Sequence, residues 1–235
     1  MASAVIVVAV NAFAATAAAR IADFIGSAVA IRGGCSLALC GGATPVPVFR
    51  QLVTRAVPWS EVAIFFGDER AVPPDHPASN FGMARRSLLD HVPVRTDRIH
   101  RMEAERTDRV AAAEDYAELL PPHLDVLLLG VGPDGHTASL FPGSAALSET
   151  GRRVVAVPPP SPPIEPAVGR MTITPPVIDA ATQVVVLATG AGKAALLERI
   201  LEGPSDPVQL PAQLARRGMW ILDRAAAVQL HRRDD

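Results

Sequence analysis

The stretch DVLLLGVGPDGHTASLFPG, Asp125 to Gly143, decides the fold. Its first half, Asp125–Val131, is apolar without polar alternation, the pattern of a parallel strand covered on both faces. Its second half is dense in glycine and holds Asp134 and His136 on either side of Gly135. A buried strand that runs directly into such a thin loop predicts an open α/β sheet with its ligand at the strand's carboxyl end.

Working outward, similar runs recur. Strands are predicted at Val5–Val10, Ser36–Cys40, Val62–Phe66, Val154–Val157, Met171–Thr174, Val184–Thr189 and Met219–Asp223. Between them lie helical segments: an Ala-rich helix to about Ile31, then Pro45–Arg55, Ser79–Asp90, Asp108–Leu120, Gly192–Leu201 and Val208–Arg216. Strand–helix alternation implies a doubly wound α/β fold, a mostly parallel sheet with helices on both faces and room for a small sub-lobe. The 235 residues are read as one domain, 1–235, because a chain of this length closes a single core. Two Pro-rich connections interrupt the alternation, AVPPDHPAS at Ala71–Ser79 and VPPPSPPIEPAVG at Val157–Gly169. The second is a stiff extended loop bordering the site, and Ser79 is an N-cap for the helix after the first.

Composition narrows the function. Charged residues are 20% of the chain and nearly balanced, for a net charge of −2, so no basic footprint for nucleic acid exists. Aromatics at 4% argue against a surface that stacks bases or sugars. The apolar run Ala4–Ala19 has no positive residue before it and is read as too short for a membrane span. Cys35 and Cys40 have neither disulfide nor metal spacing and read as buried fillers in a reducing cytoplasm.

Four loops follow the strands. Cys40-Gly41-Gly42-Ala43-Thr44-Pro45 opens a helix, with Thr44 able to cap and Pro45 suited to the first helical position. Free amides and the helix dipole make it a candidate phosphate cradle. Gly67-Asp68-Glu69-Arg70 puts carboxylates and a guanidinium at a strand mouth, where they either solvate a turn or grip a hydroxylated anion. Asp134-Gly135-His136 offers an imidazole with a carboxylate to orient it, the arrangement of a general base. Thr189-Gly190-Ala191-Gly192-Lys193 carries the only lysine; the other 21 basic residues are Arg. His76, His91, His100, His123 and His231 read as surface residues. Leu187 and Ala194 break the nucleotide P-loop pattern, and no dinucleotide fingerprint is present. No metal ligand set appears around Asp134 and His136.

The ordered set CGGATP, GDERAVP with SN shortly after, GVGPDGHTASLFPG, RMTIT and TGAGK resembles 6-phosphogluconolactonase, in the family shared with glucosamine-6-phosphate deaminases. The resemblance implies a deaminase/lactonase-like Rossmann-type sandwich that hydrolyses a phosphosugar lactone without cofactor or metal. It implies that Gly41, Gly42, Ala43 and Thr44 hold the phosphate with Lys193 and Arg170. Arg70 would close over phosphate or hydroxyls, Asp68 would lie near the sugar chain, and His136 with Asp134 would be catalytic. A monomer or weak homodimer is expected, with neither nucleic-acid nor membrane partner. Cys40 and Ala43 depart from the family's SGGSTP, removing hydroxyls but not amides. Phe141 stands where related deaminases carry a Glu, which favours the lactonase over a deaminase/isomerase. A non-catalytic sugar-phosphate effector domain would need a DNA-binding module and would have no use for a base at His136.

Overall fold

The near-continuous apolar strands assemble into one parallel sheet, as two-face burial requires. A computed structural model describes residues 4–231. In chain order the strands and helices are β1 (Ala4–Val8), α1 (Val10–Arg32), β2 (Cys35–Leu39), α2 (Pro45–Val53), β3 (Val62–Phe66), β4 (Asp68–Arg70), α3 (Asn80–Ser87), α4 (Arg109–Leu119), β5 (Val126–Gly130), β6 (Val154–Val157), β7 (Arg170–Ile173), α5 (Pro175–Ala180), β8 (Gln183–Ala188), α6 (Ala194–Leu201) and β9 (Met219–Asp223).

The large sheet has the order β1-β9-β8-β5-β2-β3, every pair parallel. After β2 the chain steps outward to β3; after β5 it steps the other way, to β8 and β9. The loops leaving β2 and β5 therefore diverge, and the crevice between adjacent strand ends opens there. A second sheet, β4-β7-β6, is antiparallel. It is tied to the first through Gly67, whose N–H donates to Leu39 and whose carbonyl accepts from Ile173.

α1 buries Phe13, Ala17, Ala18, Ile21, Ile25 and Ala28, one helical face of small and branched residues laid on the sheet. It ends at Gly33, whose φ of 74° only glycine takes freely and whose N–H reaches back to Val29. Trp220, Phe49, Phe66 and Ile21 are fully buried among the strands and helices around them.

Several expectations shift. The first strand ends at Val8, and Val10 already belongs to α1. By length and composition that helix is apolar enough to cross a bilayer, contrary to the reading that the run is too short; its apolar face is spent on the sheet. Val154–Val157 and the RMTI segment leave the parallel sheet for the small antiparallel one. Asp68–Arg70, read as a loop, is a strand. Val208–Arg216 contains only a 3₁₀ segment, Pro211–Ala215. The helix Pro175–Ala180 was not anticipated; its two prolines occupy the first helical positions, where a missing N–H costs nothing. Cys35 opens β2 and Cys40 lies just past its end; both thiols are free and buried.

Candidate active site

The loop after β5 builds the Asp134–His136 pair. Gly135 takes a φ of 88°, turning the chain so that Asp134 and His136 converge. His136 Nδ1 lies 2.5 Å from Asp134 Oδ1, which also accepts the His136 N–H at 3.2 Å. A carboxylate partner places the ring proton on Nδ1 and leaves Nε2 as the acceptor. Half-burial raises the Asp134 carboxyl, but the hydrogen bond and charge of His136 outweigh it and hold the group below its ordinary value. Phe141 packs on the imidazole with ring centroids 4.7 Å apart. Gly132 backs the ring so closely that a Cβ there would lie 2.1 Å from His136 Nδ1. Ala138 adopts a φ of 49°, an unusual conformation for a non-glycine, beside the same cavity.

The loop after β2 forms the cradle at the N-terminus of α2. Gly42, at φ 94°, bends it. Pro45 is the first residue of α2 as expected, but Thr44 at the cap position takes helical backbone angles (φ −59°, ψ −42°) and its hydroxyl caps nothing. Burial, with the nearby Asp68 charge, pushes the Cys40 thiol up to about 12, so it stays a neutral filler.

The small sheet delivers the remaining groups. Along β4 alternate side chains face opposite ways. Asp68 and Arg70 line the cavity. Glu69 turns to the start of α3 and accepts from the N–H groups of Asn80 and Phe81 and from the Ser79 hydroxyl, at 2.7, 2.8 and 3.0 Å. Burial pushes Glu69 up against these donors. Ser79 Oγ in turn accepts from Gly82, the expected cap.

Arg70 and Arg170 are direct cross-strand partners. Arg70 donates to the Ala78 carbonyl at 2.6 Å and Arg170 to the Pro166 carbonyl at 3.1 Å, and the Nε of each is buried without a partner. Burial lowers the Arg170 guanidinium, with Asp68 opposing and Arg70 adding to the fall. Arg170 also lies 5.5 Å from the Phe141 ring centroid. Neither arginine is ion-paired among the described residues. Two adjacent cations with unfilled donors suit an anion. Lys193, from the loop after β8, donates to the Val131 carbonyl at 2.7 Å. Burial lowers its ammonium, opposed by Asp134.

A cavity of about 320 Å³ brings Gly41, Gly42, Ala43, Thr44, Asp68, Arg70, His136, Arg170 and Lys193 onto one wall-to-wall surface. Asp134 stands behind His136 rather than on the lining. Pro163, Ile164 and Glu165 of the Pro-rich loop complete the rim. A larger cavity, about 670 Å³, lies between α3 and α4. Its Arg85, Arg101 and Arg106 are already paired with Asp90, Glu105 and Asp115, so no cation is left there for an anion. His100, read as a surface residue, is half-buried against Phe65 at 4.8 Å, and burial lowers its imidazole. Sequence reading missed Ser139 and Asn80 as partners of Asp68; the GDER…SN spacing was the available signal.

Residues 9–222 match the family of glucosamine-6-phosphate isomerases and 6-phosphogluconolactonases. The chain belongs to this family. Among its members, the 6-phosphogluconolactonase of Mycobacterium tuberculosis is 40% identical over 92% of this chain and 93% of the relative. The human 6-phosphogluconolactonase is 39% identical, over 83% and 81%. In structure, the 6-phosphogluconolactonase of Trypanosoma brucei superposes with a TM-score of 0.87 at 31% identity, over 97% of this chain and 98% of that one. A monomeric glucosamine-6-phosphate deaminase shares the family fold, with a TM-score of 0.84 at 22% identity.

Proposed function

We propose that the chain hydrolyses 6-phospho-D-glucono-1,5-lactone to 6-phosphogluconate, with His136 as general base. The observation that carries this reading is one imidazole, oriented at 2.5 Å by Asp134, facing a cavity whose other walls are a glycine loop and three cations. Water gives a proton to His136 Nε2 as its oxygen bonds to the lactone C1. The tetrahedral adduct collapses, the C1–ring-oxygen bond breaks, and the ring oxygen takes the proton back. Asp134 keeps the Nδ1 proton in place and stabilises the transient imidazolium. Such base help is worth about 10²–10⁴ in rate. The amides of Gly41, Gly42 and Ala43, with Thr44, Lys193, Arg70 and Arg170, hold the phosphate, and Asp68 takes the sugar hydroxyls. That grip sets orientation rather than breaking bonds.

Phe141 supports hydrolysis over deamination: an apolar ring on His136 offers no further proton carrier, and lactone opening needs none. Both sheets feed one cavity, so the chain works as one domain. The two free buried thiols suit the reducing cytoplasm. His136→Ala tests the reading. In a coupled 6-phosphogluconate dehydrogenase assay, lactone opening should fall to the spontaneous rate while 6-phosphogluconate affinity, read by calorimetry, is kept. Unchanged turnover removes His136 from the mechanism.

A further inference from the structure

Asn80 is the first residue of α3 and is 1% exposed. Its side-chain nitrogen donates to the Asp68 carbonyl at 2.8 Å and to Asp68 Oδ1 at 3.0 Å. Both partners only accept, which fixes the amide's orientation and turns its oxygen the other way. That oxygen is buried without a partner and presses on the glycine loop: a Cβ on Gly41 would lie 1.9 Å from it. The second carboxylate oxygen of Asp68 accepts from Ser139 Oγ at 2.7 Å, three residues beyond His136. The Ser139 N–H is anchored on Thr172 Oγ1 of β7 at 3.1 Å. Asp68 is thus held at both oxygens by neutral donors, and one buried amide spans the gap between it and the glycine loop.

We infer that Asn80 is a positioning residue, setting the Asp68 carboxylate at a fixed distance from the glycine loop so that sugar chain and phosphate are gripped in register. This rests on the hydrolytic reading above. A serine is too short to reach both neighbours, and a side chain on Gly41 would push the amide away. The charged or titratable groups around Asp68 are Arg70 on the same face of its strand, Arg170 on β7, the Cys40 thiol at the end of β2, and His136 and Lys193 on the same cavity lining, while Glu69, next in the chain, points away. Among the described residues none of these donates a hydrogen bond to either Asp68 oxygen, so the amide's contribution has no substitute.

The test is the pH profile of Asn80→Asp. The substitution is nearly isosteric, keeps the backbone N–H bond to Glu69 at 2.7 Å, and places an acid in a helix first turn, so the fold is retained. Two carboxyls in contact share one proton. While that proton is present the introduced group donates to Asp68 as the amide did; once it leaves, the pair repels and Asp68 swings free. Relative to the parent, kcat/KM for the lactone, corrected for spontaneous opening, should approach parental values at the acid end. At the alkaline end it should fall roughly 10- to 100-fold, the scale of a lost hydrogen bond to a charged group. Asn80→Ala should lose a similar factor at every pH. An Asn80→Asp profile parallel to the parent's overturns the inference, as does a folded Asn80→Ala with parental kcat/KM. An unmodified protein inactive on the lactone sinks the hydrolytic reading instead; the same pH comparison is then made on 6-phosphogluconate affinity by calorimetry.

Discussion

Gly132→Ala isolates the position of the imidazole from its presence. The new Cβ would stand 2.1 Å from His136 Cε1 and Nδ1, where ordinary contacts begin near 3.4 Å. The ring must therefore retreat by more than about 1 Å, a displacement that can cost about 10²-fold in rate. Phe141 at 4.7 Å blocks one side, and any retreat breaks the 2.5 Å bond to Asp134. The clash falls on a rotatable ring rather than on backbone, so the fold survives, with a stability loss no greater than about 1–3 kcal/mol. The expected result is a kcat reduced by at least about 10²-fold, or about 2.7 kcal/mol of transition-state stabilisation, with KM little changed because the phosphate groups are untouched. The coupled dehydrogenase assay, corrected for spontaneous opening, reads kcat, and a thermal melt confirms folding. A folded variant with parental turnover refutes the requirement that the imidazole stand where it does.

Two further tests address the anion grip and the scaffold. Lys193→Ala should raise KM about 10-fold or more while kcat changes far less, since an ammonium in a phosphate site binds without breaking bonds. Because burial lowers the Lys193 ammonium, the parent's KM should climb with rising pH sooner than an exposed lysine would dictate. Lys193→Ala should abolish that climb; equal pH dependence in both proteins removes Lys193 from the site. Gly26→Ala, inside α1 with no atom within 4 Å of the added methyl, should stabilise the protein. The gain expected is about 0.5–1 kcal/mol, read as a rise of roughly 1–4 °C in Tm; a fall in Tm would mean the helix needs its glycine.

Where burial is two-sided, the sequence is legible, because nothing but apolar residues is tolerated there: VAIFF and MWILD are strands at the residues read. The glycine-flanked His136 and the lone Lys193 also stand out, since each breaks a local compositional rule. The small sheet is harder to see. Asp68–Arg70 carries no apolar signal and becomes a strand only by pairing with β7, a partner a hundred residues away in sequence. That pairing, not a turn, aims Asp68 and Arg70 at the cavity and Glu69 away from it. Thr44 failed as a cap because its backbone takes helical angles at the cap position. Asn80 was visible only as half of a dipeptide, because its importance lies in contacts with Asp68 and Gly41 that no local pattern announces.

The base and its carboxylate hang from the large sheet, whereas both arginines hang from the small one. On the proposed reading, the proton-transfer pair and part of the substrate grip therefore sit on separately editable parts. Lengthening or shortening the hairpin between β6 and β7 would re-aim the guanidiniums and the proline-lined rim toward a different phosphorylated sugar acid, while the proton-transfer pair kept its geometry.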